Sequence, residues 1–167
     1  MSNRWVYLLA VVLCVAVGIL LYSKNSGQGS FALLTEEEVK LRSEDPFARS
    51  TEGPQKERAL SITSADGPKI TVAAPSGYSL VAPVDIDVLF EPRDGSPVDM
   101  QTLRIDYKMG PAWLNITRKV KANATIKGTR LLAKGADLPE GNHKLRFSIK
   151  DASNRTTRAN VTFSVRN

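Results

Sequence analysis

Few of this chain's 167 residues are of the kinds that do covalent or metal chemistry. There is one histidine, His143, and one cysteine, Cys14. Zinc sites are built from several Cys and His side chains, so one of each makes none. No Gly-x-Ser-x-Gly, no phosphate-cradling glycine loop and no His-Glu-x-x-His occurs. The nearest approach to a ligand pair is Asp85 and Asp87. Two residues apart in an alternating segment, they share one face of a strand, as oxygen ligands for calcium would. No calcium-binding loop surrounds them, so a solvated strand face is the better reading. Nothing points to an enzyme, and neither cofactor nor metal is expected.

Basic charge is the stronger signal. The net charge is +6, and it is uneven: residues 1–67 carry 7 Lys/Arg against 8 Asp/Glu, residues 68–167 carry 16 against 9. The C-terminal part therefore favours anionic partners. With Cys14 alone, no disulfide forms within the chain, so a domain outside the cytoplasm must rest on its core. That fits a bacterial periplasm better than an animal cell surface.

Three kinds of segment must position these charges. Residues 5–22, WVYLLAVVLCVAVGILLY, hold no charge and no proline. At about 1.5 Å per residue they span roughly 27 Å, close to the hydrocarbon thickness of a bilayer. Trp5, Tyr7 and Tyr22 lie near the ends, where aromatic rings favour the headgroup region. Residues 1–4, with Arg4, form a cytoplasmic tip, and the rest of the chain is exported. A signal anchor that contacts lipid is the leading reading. A cleaved signal peptide stays open, because Ala16-Val17-Gly18 offers small residues at the needed spacing. A lipoprotein signal does not fit, since Leu13 precedes Cys14.

Residues 23–67 read as linker. Residues 23–30 form a leash. Thr35 and Glu38 then make a capping box for a short helix near 35–42. Glu36, Glu37 and Glu38 start it and Lys40 and Arg42 end it, as the helix dipole prefers. Phe31, Leu34 and Val39 would give it an apolar stripe. Such a helix is marginal alone. It is either transient in a stalk or docks on another subunit or on the membrane surface. Residues 43–67, with Pro46, Gly53 and Pro54, read as spacer.

From residue 68 the period is two. Strands are expected at 69–72, 84–90, 103–107, 113–117, in a weaker pair within 124–133, and at 143–149 and 159–165. About seven short strands without a helical period argue for an all-β antiparallel sandwich. The segment Leu138-Pro139-Glu140-Gly141-Asn142-His143 and the alternating strand to Asp151 resemble the end of bacterial immunoglobulin-like or fibronectin type III-like modules. The opening 70–75, the Gly77 turn and Pro83 are similar too. His143 stands where such modules usually have a corner Tyr, and its ring is expected to bond nearby backbone. The resemblance covers 68–167 and implies a fold, not a function.

The immunoglobulin arrangement implies one sheet from the third, sixth and seventh strands. Its outward residues would be Arg104, Asp106 and Lys108; Lys144, Arg146, Ser148 and Lys150; and Asn160, Thr162, Ser164 and Arg166. Arg104, Lys108, Lys144, Arg146, Lys150 and Arg166 make this a basic plate for an acidic subunit, an acidic glycan or anionic headgroups. No aromatic residues interleave with these charges, which argues against nucleic acid. The sequons at Asn115, Asn123, Asn154 and Asn160 would matter only in a eukaryotic secretory chain. The expectation is a non-catalytic accessory subunit, single-pass in a bacterial inner membrane, with a periplasmic domain that docks on a larger envelope complex. The alternative is a binding module for acidic glycan or cell-wall polymer.

Overall fold

Alternation decides which side chains go inside. In the strand Val84–Glu91, Val84, Ile86, Val88 and Phe90 are buried, while Asp85, Asp87 and Leu89 turn outward. Asp85 and Asp87 do face the same way, but each has a protein partner. Asp85 accepts the Gly135 N–H at 2.9 Å, and Asp87 pairs with Arg130 at 2.5 Å.

The computed structural model describes residues 29–49, 59–77 and 79–166. The expected membrane anchor, with Trp5, Tyr7 and Tyr22, lies outside the described residues. Among the described residues no helix is long and apolar enough to cross a membrane. In chain order the elements are β1 (Phe31–Ala32), α1 (Glu36–Ser43), α2 (Pro46–Arg49), β2 (Ala59–Ala65), β3 (Lys69–Ala74), β4 (Ser79–Val81) and β5 (Val84–Glu91). There follow β6 (Val98–Met109), β7 (Ala112–Asn115), α3 (Thr117–Ala122), β8 (Ala124–Lys127), β9 (Arg130–Asp137), β10 (Gly141–Asp151) and β11 (Thr156–Arg166).

The strands form two sheets, and the fold is an all-β sandwich. One sheet has the order β1-β9-β5-β3, with β8 also paired to β9. The other has the order β2-β11-β10-β6-β7, with β4 also paired to β11. Most pairings are antiparallel; β1 on β9 and β4 on β11 run parallel. Ile86, Val88, Phe90 and Leu131 of the first sheet form one continuous core with Ile105, Tyr107, Leu145, Phe147, Ile149, Val161 and Phe163 of the second. Each such large side chain contributes roughly 1.5–3 kcal/mol by leaving water.

The boundary expected at residue 68 lies too late. β1 adds to the edge of β9, and the Leu33 N–H donates to the Asp137 carbonyl at 3.1 Å. Leu33 and Leu34 are fully inside the core, with Phe31 and Val39 packed against it. The capping box forms as expected: Glu38 N–H donates to Thr35 Oγ1 at 3.2 Å and Thr35 N–H to the Glu38 carboxylate at 2.6 Å. The surface on which this helix docks is the chain's own sandwich. Residues 59–65, expected as spacer, form β2 on the outer edge of β11.

Two further differences have local causes. The strand expected at 113–117 stops at Asn115, because Asn115 Oδ1 accepts the Thr117 N–H at 3.0 Å and turns the chain. Thr117 Oγ1 then bonds both the N–H and the carbonyl of Ile105, at 2.8 and 3.2 Å. α3 follows and buries Val120. The described residues hold eleven strands rather than about seven. The additions β1, β2 and β4 are edge pieces, short or weakly patterned.

Candidate functional site

The expected basic plate lies on the outer face of the second sheet, where β6, β10 and β11 are neighbours. Register fixes its rows. Arg146 stands between Asp106 and Asn160, and Ser148 between Arg104 and Arg158. Trp113 comes from β7, opposite Lys108.

Asp106 is the centre of the plate. Its side chain is only 1% exposed. Arg104 Nε donates to Oδ1 at 2.9 Å, and Arg146 Nη2 donates to Oδ2 at 2.9 Å. One carboxylate thus holds two guanidiniums in fixed positions on a flat strand surface. A buried carboxylate with two charge-assisted partners avoids the penalty of an unpaired buried charge. The Arg146 guanidinium carbon also lies 4.0 Å from the centre of the Trp113 ring, and Lys108 Nζ lies 5.2 Å from it. Such contacts add roughly 0.5–2 kcal/mol each.

Beside this cluster a concavity of about 460 Å³ opens, lined among others by Thr63, Arg104, Trp113, Arg146, Arg158 and Asn160. Arg158 is exposed and makes no ion pair with any described residue. The buried Oδ1 of Asn160 has no hydrogen-bond partner among the described residues. The concavity therefore offers cations around its wall.

The six expected basic residues divide. Arg104 and Arg146 sit in the concavity. Lys108 is at its rim and donates to the Pro111 carbonyl at 3.0 Å. Lys144 shares the face two residues along β10, and Lys150 lies exposed near the far end of that strand. Arg166 is drawn to the edge, where its Nε donates to Ser79 Oγ of β4. Arg158 lies just before residues 159–165, where the last strand is expected; the strand starts at Thr156. The alternation of buried and outward residues runs back through Thr157 and Arg158. Trp113 was not legible because the guanidinium on its ring comes from Arg146 of β10, distant in sequence.

The second buried polar cluster joins the N-terminal segment to the sandwich. Arg42 of α1 is 5% exposed and donates to the Glu140 carbonyl at 3.1 Å and the Asn142 carbonyl at 2.8 Å. His143 is fully buried. Its Nε2 lies 2.8 Å from the Pro139 carbonyl, and its Nδ1 2.9 Å from the Tyr107 hydroxyl. A carbonyl only accepts, so Nε2 carries the proton and Nδ1 accepts from Tyr107. The ring stacks on Phe163 at 5.4 Å. His143 thus fills the expected corner position. Among the described residues no three His, Cys, Asp or Glu side chains gather as metal ligands would. No protein-family model matches the chain, and no curated protein matches it.

Proposed function

We propose that the chain is a non-catalytic, membrane-anchored interaction subunit of a cell-envelope complex, whose sandwich docks an acidic protein segment. One observation carries this reading: the outer sheet face where Asp106 fixes Arg104 and Arg146 beside the exposed Arg158, which has no ion pair among the described residues. An acidic polypeptide brings further carboxylates to a face where one buried Asp106 serves two arginines and Arg158 has no ion pair among the described residues. A glycan would want an open aromatic platform, and the Trp113 ring already carries Arg146 at 4.0 Å.

The domain itself reads as immunoglobulin-like. β3-β5-β9-β8 correspond to an A-B-E-D sheet and β6-β10-β11 to C-F-G, an arrangement with which the observed strand order is compatible. The apolar run 5–22 supports an inner-membrane anchor with the sandwich on the periplasmic side. Tethering raises the effective concentration at a membrane partner, so a modest contact suffices.

The test is extraction of the tagged full chain from native membranes in mild detergent. A partner with an acidic face should co-migrate in stoichiometric amount at low salt, leave at high salt, and be absent with Arg104→Ser plus Arg158→Ser. A chain that migrates alone, or a partner indifferent to both arginines, rejects the reading. Salt-sensitive binding of the purified chain to an anionic polysaccharide would favour the glycan alternative instead.

A further inference from the structure

The structure shortens the tether. With β1, Leu33, Leu34 and Arg42 built into the sandwich, the described fold begins at Gly29. Between the apolar run and Gly29 stand only residues 23–28, which reach at most roughly 20 Å when fully extended. Whatever surrounds Gly29 is therefore held close to the bilayer, given the anchor proposed above.

What surrounds Gly29 is basic. Gly29 and Phe31 line a concavity of about 560 Å³ together with Asn123, Lys127, Arg130 and Lys134, on the outer side of β8 and β9. Residues 107–136, which include both strands, hold seven Lys/Arg and no Asp/Glu. The acidic groups of neighbouring elements are largely engaged: Asp87 with Arg130, Asp85 with the Gly135 N–H, and Glu38 with Lys119. Asp137 lies beyond Lys134 near the end of β9. Lys127 and Lys134 are exposed and make no ion pair with any described residue. The potential of an anionic leaflet acts over about one Debye length, roughly 10 Å, a range the short tether enforces.

We propose that this concavity is a phospholipid-headgroup site. Lys127, Arg130 and Lys134 take the phosphate of anionic lipids in the membrane that anchors the chain. The headgroup contact sets β8 and β9 toward the bilayer. The arginine face of the other sheet then points away from the lipid, free for a protein partner. The inference rests on the anchor reading of residues 5–22.

The test uses the full chain in nanodiscs of phosphatidylcholine alone or mixed with phosphatidylglycerol at roughly 2:1, read by amide hydrogen exchange. Anionic lipid should slow exchange across residues 123–135 by about fivefold or more, a step that each basic side chain near such a surface can supply. Lys127→Glu with Lys134→Glu should abolish the slowing, while Arg158→Glu should leave it. Exchange across β10 and β11 reports that each variant is folded. Retention in the discs without lipid-dependent protection overturns the headgroup site alone. A chain that alkaline washing removes from the membrane overturns the anchor reading, and this inference with it.

Discussion

Arg42 Nη2 lies 3.2 Å from His143 Nε2, so a guanidinium sits against a fully buried imidazole. Burial, then the Arg42 charge, push the His143 ring down to about 3, with the Pro139 carbonyl opposing them. Tyr107, raised to about 12 chiefly by burial, donates to Nδ1, which agrees with a neutral ring.

A pH dependence follows. The unfolded chain binds a proton on His143 near the ordinary value of about 6.5, and the folded chain only near 3. Between these values the unfolded state holds more protons, so stability falls as pH falls. The stabilisation is complete above about 6.5 and is lost toward 3, on the order of a few kcal/mol over the window. Urea unfolding of the full chain in detergent, followed by circular dichroism, should show this slope. His143→Gln should flatten it between roughly pH 4 and 6.5. Below that, carboxylates add their own losses. Hydrogen bonds from Arg130 lower Asp87; at Asp151 burial works upward but the bonds from Arg155 and Ser153 outweigh it. An unchanged slope in the Gln variant would mean that His143 is charged in the fold.

Arg42 is the clasp between α1 and the sandwich. Its two bonds go to the carbonyls of Glu140 and Asn142, so Arg42→Met leaves both acceptors in a buried place. The expected loss is about 2–4 kcal/mol, against nearly nothing for Lys40→Met on the exposed side of the same helix. Paired urea titrations decide it. Leu33→Ala should cost about 2–5 kcal/mol for a different reason, the cavity it leaves, because Leu33 is fully buried in the core.

Gly141 shows how closely α2 is seated. It has φ +119°, and a Cβ built there would lie 2.5 Å from the Ala48 carbonyl and 3.0 Å from Arg42 Nη2. Gly141→Ala must strain its own backbone and push α2 off β10. The measurement is limited proteolysis after Arg49 together with a melt: faster cleavage and a loss above about 1 kcal/mol are expected. A variant as resistant as the parent would show that α2 is not held there.

These residues also mark what the sequence can say. The central strands were legible because burial on one face imposes a period of two, as in Ile86, Val88 and Phe90. The capping box at Thr35 was legible because its two bonds are local. The docking of that helix was not, because nothing local says that Leu33 and Arg42 meet Asp137 and Asn142, about a hundred residues later. The basic plate was legible in outline, since outward residues of β6 and β10 follow from alternation. Its organisation was not. Asp106 reads as one acid among bases, and only register shows that it lies between Arg104 and Arg146. The concavity at Lys127 and Lys134 was hidden by the weak pattern of β8, where Ile126 stays 42% exposed despite pointing as Leu131 does.

Arg146 and Arg158 separate structure from binding on that plate. Arg146 holds buried Asp106 and covers Trp113, so Arg146→Ser removes one of two counter-charges and a ring contact. A loss of about 1–3 kcal/mol in unfolding free energy is expected, and weaker partner binding with it. Arg158 is exposed and without an ion pair among the described residues, so Arg158→Ser should leave unfolding within about 0.5 kcal/mol of the parent. Its effect should appear only in the salt-sensitive association with the acidic partner, measured by titration of the detergent-solubilised full chain. If Arg158→Ser binds as the parent does while Arg146→Ser is merely unstable, the plate is a scaffold for the sheet and the docking face lies elsewhere.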